Sequence, residues 1–270
     1  MKRLLVILYG FVAYALFAAS FLYAVAWLAN TMVSKTIDRG AAATSSGAAI
    51  ALNLLLLAAF AIQHSVMARS AFKRWWTLII PPSIERSTYV LASSLALFAL
   101  CLGWRSLPAV VWQAHGAAAS ALSLLFCIGW LVALASTFMI DHFDLFGLRQ
   151  TFAQRTAPRS GAMFKTPLLY RYVRHPLMLG LVIAFWATPQ MTVGHLLFAV
   201  MATLYIVLGL QLEERDLLRE FGATYQAYRK RVPMLLPGTK LHRRAGHVDG
   251  TDLDHAPGPW RPRRPQNPFR

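Results

Sequence analysis

The chain has 270 residues, of which 57% are hydrophobic and only 14% are charged. A soluble domain carries about a quarter charged residues, and the apolar residues of this chain come in long uncharged runs. The composition therefore excludes a water-soluble globule, a disordered protein and a disulfide scaffold. The net charge of +16 would suggest nucleic acid in a soluble protein, but here the basic residues lie between apolar runs, as in positive cytoplasmic loops. We expect a polytopic membrane protein embedded in a lipid bilayer, with no nucleic-acid partner.

Four apolar runs have the length of membrane-spanning helices, for which about 20 residues are needed. They cover residues 4–28, 48–67, 87–104 and 118–140. The first run follows Met1-Lys2-Arg3 and stays uncharged to Ser34, which is too long for the apolar core of a signal peptide. We therefore expect an uncleaved first span.

The next apolar stretch predicts a helical hairpin. Residues 176–187 form a short arm, Thr188-Pro189-Gln190 interrupts it, and residues 191–212 form a longer arm. Twelve helical residues reach only about 18 Å, less than the hydrocarbon thickness. Residues 217–231 then repeat apolar side chains every three or four positions, which predicts an amphipathic helix. The expected fold class is an all-α integral membrane protein with four transmembrane helices, a C-terminal helical hairpin and a cytoplasmic amphipathic helix.

The basic residues predict the orientation. If the N-terminus is cytoplasmic and the hairpin enters and leaves on one side, 24 of the 27 Lys and Arg residues lie inside. This asymmetry favours cytoplasmic N- and C-termini, and without a recognisable targeting signal we expect a bacterial inner membrane. Residues 238–270 lack an apolar period, so we expect a disordered basic tail after a membrane domain at 1–237. The tail histidines His242, His247 and His255 lack the spacing of metal ligands, and we expect no metal.

Two polar motifs lie where the hairpin begins and ends. Before the short arm, Arg174 and His175 precede Pro176, which suits the first position of a helix. The helix N-terminus offers N–H groups and a positive dipole to an anion, and Arg174 adds a guanidinium. Glu213 and Glu214 end the longer arm, which returns to the side it left. A basic loop or solvated acids would explain either motif alone; together they predict a receptor for a zwitterion.

The order of these motifs resembles a known family. Arg174-His175-Pro176, Gly180, Glu213-Glu214-x-x-Leu217, Phe221-Gly222-x-x-Tyr225-x-x-Tyr228 and Val232-Pro233 are similar to the isoprenylcysteine carboxyl methyltransferases, integral membrane enzymes that use S-adenosylmethionine (SAM). The similarity covers residues 169–237, and it implies that SAM is the methyl donor. The candidate cofactor-binding residues are Tyr172, Arg174, His175, Pro176, Leu177, Glu213, Glu214 and Tyr225. The amphipathic helix is an interfacial anchor on one interpretation and a lid over the ligand on another.

Further polar residues lie at the cytoplasmic ends of the predicted spans. His64 lies near the end of the second span, Glu85 begins the third, and Asp141 and His142 follow the fourth. A lone histidine in an apolar run is more often structural, but ionisable residues inside a membrane are functional candidates by default. The alternating topology places all four on the same side as the hairpin motifs.

These segments, with Phe185-Trp186-Ala187-Thr188-Pro189 and Gly194-His195, are similar to the nurim-related bacterial branch that includes methanethiol S-methyltransferases. The resemblance implies that methanethiol is converted to dimethyl sulfide, with hydrogen sulfide as a lesser acceptor. The thiolate is the nucleophile in such a transfer. The thiol either loses its proton to a candidate base, His64 or His142, or arrives already ionised beside the sulfonium charge. Glu85 and Asp141 are candidates to orient the imidazole rings. His64 is the first choice because it alone lies well inside an apolar span.

Two alternatives stay open from the sequence. One is a membrane methyltransferase with another acceptor, such as an isoprenylated cysteine carboxyl or a lipid amine. The other is a non-enzymatic membrane protein of the nurim or nitric-oxide-response kind that keeps the fold. Binding of SAM would separate the second alternative from both enzymes.

Overall fold

The computed structural model describes residues 2–40, 45–153 and 166–238. The predicted tail, from residue 239 onward, lies outside the described residues. In chain order the elements are α1 (Lys2–Leu28), α2 (Ser46–Ala68), α3 (Ser70–Trp76), α4 (Glu85–Gly103), β1 (Val110–Gln113), α5 (Gly116–Ile140), α6 (His142–Leu145), α7 (Leu148–Ala153), α8 (Pro176–Trp186), β2 (Gln190–Thr192) and α9 (Val193–Arg231). Short 3₁₀ turns precede α4 and α8, at Pro82–Ile84 and Leu168–Arg171.

Five of the described helices are long and apolar enough to cross a membrane: α1, α2, α4, α5 and α9. The four predicted spans and the hairpin are present, and the expected all-α integral membrane class is confirmed. Local chemistry fixes two helix starts, because Ser45 accepts the Ala48 N–H and Thr192 accepts the His195 N–H. α4 packs between α1 and α2, and α8 packs along α5.

The short arm of the hairpin ends in a small sheet that the sequence did not predict. β2, at the hairpin apex, pairs antiparallel with β1 from the loop between α4 and α5. On either side, Ala114 donates its N–H to Pro189 O at 2.8 Å, and Val193 donates to Ala109 O at 2.8 Å. Backbone polar groups within a bilayer need such partners. The pairing therefore satisfies the backbone where an 11-residue helix stops.

α8 and α5 approach each other through glycine. A Cβ added to Gly180 would lie 2.5 Å from the Gly129 carbonyl oxygen and 2.6 Å from the Ala133 nitrogen. Small residues allow such close backbone contact between membrane helices. This contact fixes the beginning of α8, and with it the residues just before Pro176, against the rest of the bundle.

The longer arm and the amphipathic segment both lie within α9, which consists of two helical segments that meet at a kink. The sequence predicted two segments divided between residues 212 and 217, whereas the structure divides them at Gly222. The backbone breaks from helical geometry only at Gly222 (φ 53°, ψ −126°), a conformation that side-chain-bearing residues rarely adopt. The buried face of α9 contains Ala199, Ile206 and Leu210, which pack in the main apolar core with Trp27 and Trp104. Glu214 follows on the same buried face.

Candidate active site

The structure brings together the two motifs that flank the hairpin. Arg174 Nη2 lies 2.7 Å from Glu214 Oε1, and these side chains are only 6% and 10% exposed. The same oxygen is 3.4 Å from His175 Nε2, and His175 Nδ1 is 3.8 Å from Glu213 Oε2. Glu214 Oε2 also lies 3.8 Å from Arg229 Nε. A buried carboxylate is thus surrounded by basic groups from both ends of the hairpin.

The chain that follows α9 holds the Arg174–His175 segment in place. Arg174 donates its backbone N–H to Pro233 O at 2.9 Å, and His175 donates to Met234 O at 3.3 Å. Pro176 then occupies the first position of α8. Since the first N–H groups of a helix have no partner within that helix, the site contains a helix N-terminus directly beside the guanidinium.

Arg174 has donor capacity that its neighbours do not use. Its Nε and Nη1 atoms are buried and have no hydrogen-bond partner in the part of the chain that the structure describes. A buried donor without a partner is unfavourable, and a guanidinium suits a carboxylate. Glu213 is 52% exposed and can face an ammonium group. These residues therefore fit a zwitterionic α-amino acid group, and its binding here stays a prediction.

Aromatic residues from the end of α9 cover this region. Tyr225 is only 1% exposed, and it packs with Tyr228 and Val232. Tyr228 donates its hydroxyl to Tyr170 O at 2.5 Å. Burial, and then the Glu213 carboxylate, raises the pKa of Tyr170 above its usual value. The lid interpretation of this segment and the interfacial-anchor interpretation both stay predictions.

The other two predicted cofactor residues flank the site, and among the described residues their side chains make no hydrogen bond to it. Tyr172 is largely exposed, and Leu177 is half-buried in the first turn of α8. Their contribution to the site stays a prediction.

His64 belongs to a polar cluster between α2, α4 and α9. Tyr89 Oη is 2.9 Å from His64 Nε2, and Ser93 Oγ is 3.3 Å from His64 Nδ1. One residue further along α2, Ser65 Oγ lies 3.0 Å from the hydroxyl of Tyr205 on α9. Sequence reasoning did not single out Tyr89, Ser93 or Tyr205. The spacing of Glu85, Tyr89 and Ser93, four residues apart on one face of α4, is a signal that could have indicated two of them.

The second candidate base, His142, has a different environment. Its Nε2 is 2.8 Å from the Tyr14 hydroxyl, and its Nδ1 is 2.8 Å from Thr137 Oγ1. The ring is stacked on Phe138 at 4.2 Å and is buried, which lowers the pKa of His142. These contacts join α6 to α1 and α5, as expected of a structural histidine.

The two candidate orienting carboxylates have other partners. Asp141 lies 2.6 Å from Arg149 and accepts the Asp144 N–H at the start of α6. Glu85 lies near Lys73, where burial lowers the pKa of the lysine and Glu85 opposes that shift. Among the described residues, hydroxyl groups rather than these carboxylates hold both imidazole rings.

Residues 51–217, from α2 to just beyond Glu214, match the family described as NnrU protein. The chain belongs to the NnrU family. Within it, the chain is 59% identical over 243 residues to methanethiol S-methyltransferase 2 of Bradyrhizobium diazoefficiens, covering 90% of this chain and 93% of that protein. It is 54% identical to methanethiol S-methyltransferase of Mycobacterium tuberculosis, covering 90% of this chain and all of that protein.

A more distant relative of this NnrU family chain confirms the predicted link to nurim. Nurim of Rattus norvegicus is 30% identical over 180 residues, which are 63% of this chain and 68% of that protein. No solved structure matches the chain.

Proposed function

We propose that this NnrU family member transfers a methyl group from SAM to methanethiol and forms dimethyl sulfide. Relatives that match along nine-tenths of the chain are named methanethiol S-methyltransferases. The observation that carries the assignment of SAM is the buried Arg174, which contacts Glu214 and keeps two further nitrogens available for a carboxylate. Glu213, beside His175, supplies the complementary negative charge for an ammonium group.

When bound, SAM supplies a methyl carbon activated by its attachment to a sulfonium. The chain holds the amino-acid end through Arg174, the N-terminus of α8 and the two adjacent glutamates. Such fixed positioning accounts for much of the acceleration in an in-line displacement. Tyr225 and Tyr228, packed over the site, exclude water from it.

Methanethiol must lose its proton to react well, because the thiolate is the nucleophile. Its sulfur forms a bond to the methyl carbon, and the electron pair of the broken carbon–sulfur bond stays on the donor sulfur. The products are dimethyl sulfide, S-adenosylhomocysteine and a proton. His64 is the base that we assign to this proton, since it lies within the apolar part of the bundle and on the helix that contacts α9.

The test combines product detection with ligand binding. Headspace gas chromatography of cells that express the chain and receive methanethiol should detect dimethyl sulfide, and a Glu214→Gln variant should lose it. The matched control is Glu220→Gln, which removes an exposed carboxylate from the same helix. Calorimetric titration of the purified proteins with SAM should show binding by the wild type and the control, and a loss of at least about tenfold in affinity in Glu214→Gln.

Each alternative predicts a different result. Binding of SAM without dimethyl sulfide would contradict methanethiol as acceptor and favour another acceptor. Well-folded protein that neither binds SAM nor forms product would favour a non-enzymatic membrane protein.

A further inference from the structure

Six polar side chains meet between α2, α4 and α9, in a part of the bundle whose remaining residues are mostly apolar. They are Gln63, His64, Ser65, Tyr89, Ser93 and Tyr205. Polar groups are unfavourable in hydrocarbon unless they form hydrogen bonds. Small or uncharged polar side chains are sufficient for membrane helices to associate, so packing alone does not explain a histidine here. In addition, Gln63 Oε1 is buried and has no hydrogen-bond partner among the described residues. The cluster therefore has more polar capacity than its internal bonds use.

We propose that this cluster binds the acceptor thiol, and that Tyr89 and Ser93 position His64 to receive its proton. The inference rests on the proposed function and extends it to a second site. One helix connects the two sites: Tyr205 precedes Glu214 by nine residues of α9, or about 13 Å along the helix axis. The end of α2 is also joined to α9 near Glu214, because Arg69 lies 3.2 Å from Asp216.

The chemistry of the cluster suits a small thiol. A hydroxyl group can donate or accept, so Tyr89 and Ser93 can hold either tautomer of His64. When the S–H bond of the thiol breaks, its proton goes to an imidazole nitrogen and the electron pair stays on sulfur. The hydroxyls of Tyr89 and Tyr205 can then donate to the thiolate, which would otherwise be an unsolvated anion in an apolar environment.

The charged groups around His64 come from all three helices. Glu85 and Arg86 lie at the start of α4, one turn from Tyr89. Arg69 follows His64 on α2, and Asp216 pairs with it from α9. These acidic and basic groups lie between His64 and the near end of the bundle. The proton that His64 receives can therefore pass to titratable groups on its way out of the site.

The experiment compares two tyrosine variants of the purified full-length chain in detergent micelles. Tyr89→Phe removes the hydroxyl that contacts His64. The matched control is Tyr9→Phe on α1. It removes a hydroxyl that donates to Thr88 Oγ1 at 3.0 Å, and Thr88 is the residue before Tyr89 on α4. Three properties are measured: the affinity for SAM by calorimetry, the kinetic constants for methanethiol with their pH profile, and the shift in Tm caused by methanethiol in the presence of S-adenosylhomocysteine.

In Tyr89→Phe, we expect KM for methanethiol to rise about tenfold and the Tm shift to disappear. The pH profile of kcat/KM should be displaced, while the affinity for SAM stays within about twofold. Tyr9→Phe should match the wild type in all three properties. If Tyr89→Phe does not fold, Ser93→Ala removes the other partner of His64 and tests the same prediction.

Two outcomes separate this inference from the proposed function. If the wild type forms dimethyl sulfide but Tyr89→Phe and Ser93→Ala behave like Tyr9→Phe, the acceptor binds elsewhere and the inference is wrong. If the wild type forms no dimethyl sulfide, the proposed function itself is wrong.

Discussion

At the scale of single residues, burial distinguishes the two adjacent glutamates. Glu214 is almost completely buried against Arg174, whereas Glu213 is half exposed. Removing one partner of a buried ion pair leaves an uncompensated charge and destabilises a protein by about 3–5 kcal/mol. Loss of an exposed charge has a much smaller effect. The sequence Glu213-Glu214 therefore contains one residue that stabilises the site and one that remains accessible to a ligand.

Arg174→Lys tests the two unused guanidinium nitrogens. A lysine keeps the positive charge beside Glu214, but its single ammonium cannot contact Glu214 and a ligand carboxylate with separate planar donors. We expect the Kd for SAM to rise at least about tenfold, as measured by calorimetry, with the folded state retained. The control is Arg171→Lys, an exposed change three residues earlier, which should leave the Kd for SAM unchanged. Equal affinities in the two variants would show that Arg174 does not bind the cofactor.

At the scale of elements, the packing of α8 on α5 positions the proposed cofactor site. α8 has only 11 residues, so its placement depends on close contact along a short length. The contact between Gly180 and Gly129 provides this close approach, and the β1–β2 pairing holds the chain just after the C-terminal end of α8. Both ends of the short arm are thus fixed by partners distant in the sequence.

Gly180→Ala should destabilise the protein. Its added methyl group would overlap the Gly129 carbonyl and the Ala133 nitrogen, which are rigid backbone atoms. Overpacking of this kind decreases the free energy of unfolding by about 1–3 kcal/mol. The control is Gly209→Ala on α9, where an added Cβ meets nothing within 4 Å and better helix propensity should raise stability by up to about 1 kcal/mol. Thermal unfolding in micelles measures the stability of both variants. A Gly180→Ala variant as stable as the wild type would contradict the packing argument.

Gly222→Ala tests the break in α9 without adding a clash, because an added Cβ there also meets nothing within 4 Å. The backbone φ of 53° disfavours any L side chain. We expect the segment that carries Tyr225 and Tyr228 to shift away from the cofactor site. SAM affinity, measured by calorimetry, should fall while Gly209→Ala keeps wild-type affinity. An unchanged Kd would mean that the aromatic cover does not depend on this break.

At the scale of the whole molecule, five long apolar helices establish a multi-pass membrane protein. The distribution of Lys and Arg along the sequence, which favours the segments before and after the hairpin, is the basis of the proposed orientation. The alternation of helices places the β1–β2 pair and the loop after α1 at the opposite face.

Reporter fusions test this orientation. Alkaline phosphatase inserted between β1 and α5 should be active because the proposed orientation places that loop in the periplasm, whereas a fusion after Gly238 should be inactive. A fluorescent protein fused after Gly238 should be fluorescent, since the proposed orientation places this fusion in the cytoplasm. The reverse pattern would place the cofactor site outside the cell and contradict both the orientation and access to SAM.

Much of the architecture could be predicted because it depends on local features of the chain. The length of an uncharged run decides whether a helix can span a bilayer, and Pro176 marks a helix start wherever that helix packs. The pairing of Arg174 with Glu214 was also predictable in outline, because a hairpin brings its two ends together. The position of the break in α9 was not predictable, since the amphipathic pattern continues through Gly222 although the backbone is kinked there.

Hydrogen-bond partners distant in the chain could not be obtained in this way. The sequence indicated that His64 lies inside an apolar span and left Glu85 as a possible partner, but the orientation of α4 brings Tyr89 and Ser93 to the ring instead. Likewise β1 has four exposed residues and no pattern that predicts its pairing with β2. The sequence by itself determined the membrane class, the spans and the motifs at the ends of the hairpin, because these follow from hydrophobic length and local backbone preference. Only the tertiary structure decided which side chains meet, because helix rotation and close glycine contacts depend on the packing of all helices together.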